Sequence, residues 1–364
     1  MLFCYNEGMT EAVAIIYCEK MFNTTWGKTA HGLVRFTRRY EIVGVVDSSC
    51  AGFDAGELLD GKAKGIPIFS DIDSALANCP KKVTHLIFGG ATDGGFLPKE
   101  MYKDILHALK IGLNVDCGLH YFLSDDKLMV KAAKKSGSKI RDIRKIPAAY
   151  KLHSYSGKIR EVNSFRVAIL GTDSSVGKRT TAWRLIEAFE SKNIKSELIG
   201  TGQTAWLQGA RYGVRMDALI NDFVAGEIEN AVVEAWENEK PDVMIIEGQG
   251  SLLNPIYPGG FEIIAASSPH VIVLQHAPNR VDYDGLLDSP IHPLKTQIEA
   301  IELISGKKVV AITINSEGLK NEEVKKVCKE IERETGLITK EGLRDSLEPI
   351  VQLLLKIKQT EFER

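Results

Sequence analysis

A chain of 364 residues, 44% hydrophobic and 26% charged, is too long for one ordinary core and has the composition of a globular protein, so two domains are expected. A formal net charge of -2 gives no electrostatic reason to expect nucleic acid or an anionic membrane as a partner. The six cysteines (Cys4, Cys18, Cys50, Cys79, Cys117 and Cys328) include no C-x-x-C pair, which argues for a reduced, cytoplasmic protein and against a disulfide framework or a zinc site. The first residues carry Glu7 and Glu11 and no basic stretch leading into an apolar one, so no signal peptide is expected. No apolar run is long enough to span a bilayer.

Ala12 to Tyr17 is an apolar run, followed by a loop and a helical stretch from about Thr29. Glu41 to Val46 reads as a second strand ending in Asp47, and Val83 to Phe88 as a third, closed by Gly89 and Gly90. Pro98 to Ile111 reads as an amphipathic helix, Leu113 to Asp116 as a short strand and Ser124 to Lys135 as a helix. Strands alternating with helices predict a parallel sheet covered on both faces, here a Rossmann-like domain over residues 1–145. An acid at the end of the second strand is where dinucleotide folds hold a ribose. The glycine fingerprint is missing, however: after the first strand the chain reads CEKMFNTTWGKT, which does not support bound NAD.

Residues 146–164 read as a linker, continuing a Lys-, Arg-, Ser- and Gly-rich stretch that begins near Ser136. The basic run through Lys139, Arg141, Arg144 and Lys145 suits a solvated connector, or an arginine that reaches an anionic ligand. Residues 165–364 form the second domain, with strands expected at 166–170, 196–200, 243–246, 271–275 and 308–314. Helices are expected at 179–190, about 218–238, 293–304, 320–334 and 346–357. This is again a doubly wound α/β pattern, and ligands in such sheets sit beyond the carboxyl ends of the strands.

The strongest chemical signal is GTDSSVGKRTT: Gly171, Thr172, Asp173, Ser174, Ser175, Val176, Gly177, Lys178, Arg179, Thr180 and Thr181. It joins an apolar strand to a helix, as a phosphate-binding loop of the P-loop NTPase kind does. Glycines let backbone N–H groups converge on an anion, the helix start adds positive potential, and Lys178 adds a full charge. Two features depart from the usual form. Five residues separate Gly171 from Gly177, and Arg179 stands where a magnesium-ligating hydroxyl is usual. Thr180 is the candidate metal ligand, with Arg179 as the alternative charge on phosphate.

A buried-looking strand ends in Glu247, followed by Gly248, Gln249 and Gly250. Such an acid holds magnesium or handles a proton, and the alternative is a cap on the next turn. Gln203, Arg211, Arg215, Asp217, Asn221 and Asp222 form a polar cluster suited to a small substrate, with Asp217 and Asn221 expected on one helix face. His276 is a candidate general base by its near-neutral pKa, and Arg280 follows it. Asp282, Asp284, Asp288 and His292 suggest a metal cluster on paper but match no ligand spacing. Asn315 ends the last strand and is a candidate for reading an adenine edge, or simply a turn former.

GTDSSVGK together with IIEGQGSL resembles dethiobiotin synthetase and related ATP-using ligases over the core of the second domain. Over both domains the chain is similar to the D-glutamate N-acetyltransferase-like (DgcN-like) family. The residues that carry this are GKTAHGLVR (27–35), VGVVDS (43–48), IRDIR (140–144), GTDSSVGKRTT, GQT (202–204), DFVAGEIE (222–229) and EGQGSLLNP (247–255). The resemblance implies acetyl transfer from acetyl-CoA to the amine of D-glutamate or a similar small-molecule amino acid, with the phosphate loop gripping the coenzyme. For that reaction, placement in the sequence suggests Glu247 or His276 as proton acceptor, N–H groups near Gly248 to Gly250 for an oxyanion, and Arg211, Arg215 or Arg280 for the substrate carboxylates. The competing expectations are an ATP- and magnesium-dependent ligase or kinase, with Thr180 and Glu247 around the metal, and a nucleotide-sensing regulator. A homo-oligomer is the base-rate expectation for an α/β enzyme of this size.

Overall fold

The computed structural model describes residues 12–362; Cys4, Glu7 and Glu11 lie outside them. The chain divides into two compact units. In the N-terminal one, β1 (Ala12–Tyr17), α1 (Lys28–Arg35), β2 (Tyr40–Val46), α2 (Ala55–Asp60), β3 (Ile68–Phe69) and α3 (Ile72–Asn78) are followed by β4 (His85–Phe88), α4 (Lys99–Lys110), β5 (Asn114–Cys117), α5 (Lys127–Ser136) and β6 (Ile140–Asp142). All strand pairs are parallel, in the order β3-β2-β1-β4-β5-β6, the Rossmann order. The short helices α2 and α3, absent from the sequence reading, form because their caps are strong. Asp54 accepts from Gly56 N and Glu57 N, and Asp71 and Ser74 make a reciprocal capping box.

Asp47 is taken up within the fold. It is fully buried, and one carboxylate oxygen accepts from Met21 N (3.1 Å) and Phe22 N (2.8 Å). The other accepts from Ser49 N (2.9 Å) and Ser49 Oγ (2.6 Å), so the side chain pins the loop after β1. The basic stretch is also not a free connector. Arg141 lies on β6 and donates to buried Asp116 (2.7 Å), to which the Tyr40 hydroxyl also donates. Arg144 donates to the Gly118 carbonyl, and Lys145 pairs with Asp125.

The same unit includes residues 203–209, which the sequence reading placed in the second domain. They form α7 (Gln203–Gln208). Thr204 Oγ1 lies 3.1 Å from Thr29 Oγ1, and Gln208 Nε2 donates to the carbonyls of Gly32 (2.8 Å) and Phe36 (3.0 Å). The Trp206 ring receives the Arg39 guanidinium at 3.9 Å and that of Arg141 at 4.8 Å. Six residues are too few to show a helical period, so only packing reveals this helix.

The C-terminal unit takes in Ala148–Gly202 and Ala210–Arg364. It carries β7 (Phe165–Gly171), α6 (Lys178–Glu190), β8 (Ser196–Gly200), β9 (Tyr212–Gly213), α8 (Asn221–Glu239), β10 (Val243–Glu247) and α9 (Phe261–Ser267). Then come β11 (Val271–His276), α10 (Leu294–Ser305), β12 (Val309–Ile314), α11 (Asn321–Thr335), β13 (Ile338–Glu341) and α12 (Glu348–Ile357). The sheet is parallel throughout in the order β13-β12-β11-β7-β10-β8-β9. Every residue of the central strand β7 is buried, as a strand covered on both faces requires. Asp217 and Asn221 do not share a helix face. Asp217 sits in a short 3-10 turn, and extended backbone at Leu219 and Ile220 separates it from α8.

Residues 153–162 are anchored to α8. Glu227 accepts from His153 N (2.7 Å), and Glu229 accepts from Ser156 N (2.6 Å), Ser156 Oγ (2.9 Å) and Ile159 N (3.1 Å). Ile159 and Val162 join the hydrophobic core of this unit. A Cβ on Gly226 would stand 2.0 Å from the His153 carbonyl oxygen, so DFVAGEIE is explained as the seat of this segment. Among the described residues no helix is long and apolar enough to cross a membrane. Gly226→Ala is expected to cost roughly 2 kcal/mol or more of stability, because backbone must move to admit the methyl group. Equilibrium denaturation checks this, and an unchanged midpoint would contradict the seat.

Candidate phosphate-binding site

The register of the sheet sets the site. Glu247 at the end of β10 pairs with Ile169 of β7, and Gln275 of β11 pairs with Gly171. The loops after three adjacent strands therefore leave the sheet side by side. Within the loop after β7, Ser175 (φ 56°) and Gly177 (φ 108°) both take left-handed backbone, which turns the chain back into α6. Gly248 has no room for a side chain, since a Cβ would lie 2.2 Å from the Ile169 carbonyl, and at Gly171 a Cβ would lie 2.8 Å from Lys178 Nζ, so the lysine would have to shift.

Lys178 is buried, and its ammonium donates to the carbonyls of Asp173 (2.6 Å) and Gly250 (2.7 Å). Burial pulls its pKa down to about 8, against the opposing pull of Asp173 and Glu247. Glu247 is also buried, and its carboxylate accepts from Thr201 N (2.8 Å). Burial pushes that carboxyl above the usual range, opposed by the nearby Arg179, by the Thr201 bonds and by Lys178. Gln249 Nε2 donates to Thr201 Oγ1 (3.0 Å), so these two loop ends are tied together.

Asp173 points inward. Its carboxylate is fully buried and accepts from Ser174 N (2.7 Å), Asn254 Nδ2 (2.7 Å), Arg280 Nη1 (2.9 Å) and Asp284 N (2.8 Å). Thr181 also serves the scaffold. Its hydroxyl donates to Gln275 Oε1 (2.5 Å), which also accepts from Thr313 Oγ1 (2.6 Å). Thr172, Ser174, Ser175, Val176, Arg179 and Thr180 complete the turn around Lys178, with Ser175 exposed and Arg179 and Thr180 partly buried.

Of the remaining candidates, His276 touches the loop and most of the others are dispersed. His276 Nδ1 lies 3.0 Å from Thr172 Oγ1. Burial lowers its pKa to about 4, not near neutrality as expected, so the ring is uncharged at neutral pH and a weak base. Arg211 pairs with Glu197 and Glu239, and Glu197 is early in β8, toward the amino ends of the strands and away from the phosphate loop. Its charge is already matched by two glutamates. Gln203 lies against Gly118 in the N-terminal unit, and Asp217 and Asp222 are exposed around the start of α8. Asn315 Oδ1 accepts from Glu317 N (3.1 Å), the bond of a turn-forming Asn. Among the described residues no three His, Cys, Asp or Glu side chains group as metal ligands, so Asp282, Asp284, Asp288 and His292 do not form the cluster they suggest on paper. His292 instead lies 2.8 Å from the Tyr283 hydroxyl.

Two participants were not singled out from the sequence: Asn254 as a partner of Asp173, and Ser251. Ser251 Oγ is buried and has no hydrogen-bond partner among the described residues. It follows Gly250, whose carbonyl accepts from Lys178, and an unpaired buried hydroxyl there fits a polar ligand. Ser251 and Asn254 both lie in EGQGSLLNP, and that stretch was the only signal for them.

The low pKa of His276 has a consequence for stability. Between pH 6.5 and about 4 the unfolded chain binds a proton that the native state refuses, so stability falls as pH drops through that window. His276→Gln is expected to remove on the order of 2 kcal/mol of that fall, read from urea denaturation at a series of pH values. Parallel curves for the two proteins would contradict the assignment.

Two family models match the chain: a Rossmann-like domain of unknown function (DUF1611_N) over residues 48–146, and a P-loop domain of unknown function (DUF1611_C) over residues 153–351. The chain is 31% identical over 272 residues to a protein of Pseudoalteromonas sp named D-glutamate N-acetyltransferase, covering 73% of this chain and 79% of that one. It is also 31% identical over 278 residues to a protein of the same name from Tritonibacter scottomollicae, covering 75% and 81%. A crystal structure of a DUF1611 family protein from Anabaena variabilis superposes with a TM-score of 0.87 at 30% identity, over 95% of this chain and 99% of that one. The Rossmann strand order, the phosphate loop between β7 and α6 and these likenesses agree: the chain belongs to the DUF1611 family, a Rossmann-like domain followed by a P-loop domain.

Proposed function

We propose that the protein is an N-acetyltransferase that moves acetyl from acetyl-CoA to the amine of an acidic amino acid such as D-glutamate. The observation that carries this reading is the likeness to two proteins of that name over about three quarters of the chain, phosphate loop included. The site's residues fit the coenzyme's phosphates. Gly171 and Gly248 keep side chains away from Lys178, and Lys178 and Arg179 supply positive charge beside the loop. When bound, the coenzyme supplies the acetyl group as an activated thioester.

The chain's own residues have two further tasks. The substrate ammonium must lose a proton before its nitrogen forms the new C–N bond, and the departing sulfur must leave as a thiol. Glu247 is the proton acceptor in this reading, since burial raises its basicity while His276 is depressed. The Ser251 hydroxyl and the N–H groups of Gly248 to Gly250 are the donors at hand for a developing oxyanion. Arg179 in the place of a magnesium-ligating hydroxyl favours gripping a phosphate over cleaving one.

Acetyl-CoA is expected to raise the melting temperature of the protein, and Lys178→Ala to abolish that rise. Stabilisation by ATP with magnesium alone would instead favour a ligase or kinase. Glu247→Gln is expected to lower turnover about 10²-fold or more, measured by thiol release, while acetyl-CoA binding persists. Unchanged turnover would remove Glu247 from the proton-transfer role.

A further inference from the structure

We propose that Asp173 and Arg280 form a latch that holds the phosphate loop in its binding shape, and that Arg280 is a positioning residue, not a partner of the substrate carboxylates. The inference rests on reading this loop as a phosphate cradle, and not on which acyl group is moved.

Asp173 belongs to the loop, yet its side chain is fully buried and matched within the fold. It gathers donors from three segments: Ser174 N in the loop itself, Asn254 beyond β10, and Arg280 with Asp284 N beyond β11. The Arg280 guanidinium then closes over the loop's outer turn. Nη1 donates to the Ser174 carbonyl (2.7 Å) as well as to Asp173, and Nη2 reaches the Ser175 carbonyl (3.5 Å) and Glu317 beyond β12 (3.0 Å). Ser175, whose carbonyl it reaches, is the loop's non-glycine residue in left-handed backbone, where the loop most needs external support.

Charge argues the same way. Arg280 sits between two carboxylates, one buried at Asp173 and one half-exposed at Glu317. A substrate carboxylate approaching it would meet Glu317 rather than an unmatched cation. The gain from the latch is order before binding: a loop already in shape loses less freedom when its N–H groups close on a phosphate.

The test compares Arg280→Gln, Arg280→Lys and Glu317→Gln with the parent protein. Hydrogen–deuterium exchange follows residues 173–178, calorimetry follows CoA binding, and steady-state kinetics gives the KM for D-glutamate. Arg280→Gln is expected to speed exchange in the loop and weaken CoA binding about 10-fold, with the D-glutamate KM unchanged. Arg280→Lys should recover part of both, and Glu317→Gln should show a smaller effect in the same direction. Should Arg280→Gln fail to fold, Glu317→Gln and Arg280→Lys carry the same comparison. Normal loop exchange and CoA affinity combined with a raised D-glutamate KM would overturn the latch and return Arg280 to the substrate. If the parent protein binds no CoA, the acetyltransferase reading fails, while loop exchange still decides the latch.

Discussion

A lysine ammonium and an aspartate carboxylate, five positions apart in sequence, are both buried at the carboxyl end of β7. Each demands partners, since an unpaired charge in that setting is costly. Lys178 finds backbone carbonyls from two strand ends, and Asp173 finds donors from three segments. The loops after β7, β10 and β11 are held together by those demands. The parallel sheet supplies the level platform, because its register sets Glu247 beside Ile169 and Gln275 beside Gly171.

The division of labour inside GTDSSVGKRTT follows from this. Asp173 and Thr181 face the scaffold, through Arg280 and Asn254 for one and Gln275 for the other. Gly171 and Gly177 allow the turn, and Lys178 lies beneath it. Much of the motif is therefore a structural knot. The same holds beyond β10, where Glu247 is tied to Thr201 and Ser251 keeps a buried hydroxyl unpaired among the described residues.

Much of this was legible in the sequence, for physical reasons. Apolar strands such as β7, which ends in Gly171, and β10, which runs into Gly248, announce themselves, and so do helices of three turns or more. The two-residue strands β3 and β9 and the six-residue helices α2 and α7 carry no readable period. Whether a polar side chain at a strand end faces a ligand or the scaffold was not legible either. Asp173 and Arg211 both looked like binding residues, and each is matched by partners within the fold. His276 shows the same limit in another form, since its residue type suggests a near-neutral base while burial makes it a weak one.

The central claim is that the loop grips a phosphorylated acyl carrier through Lys178 and Arg179 instead of splitting a nucleotide with a metal. It is tested most directly by following thiol release from acetyl-CoA with D-glutamate as acceptor, in EDTA and without nucleotide. The account predicts sustained, D-glutamate-dependent release under those conditions. Release that requires magnesium and ATP, or no release beside magnesium-dependent ATP hydrolysis, would contradict it.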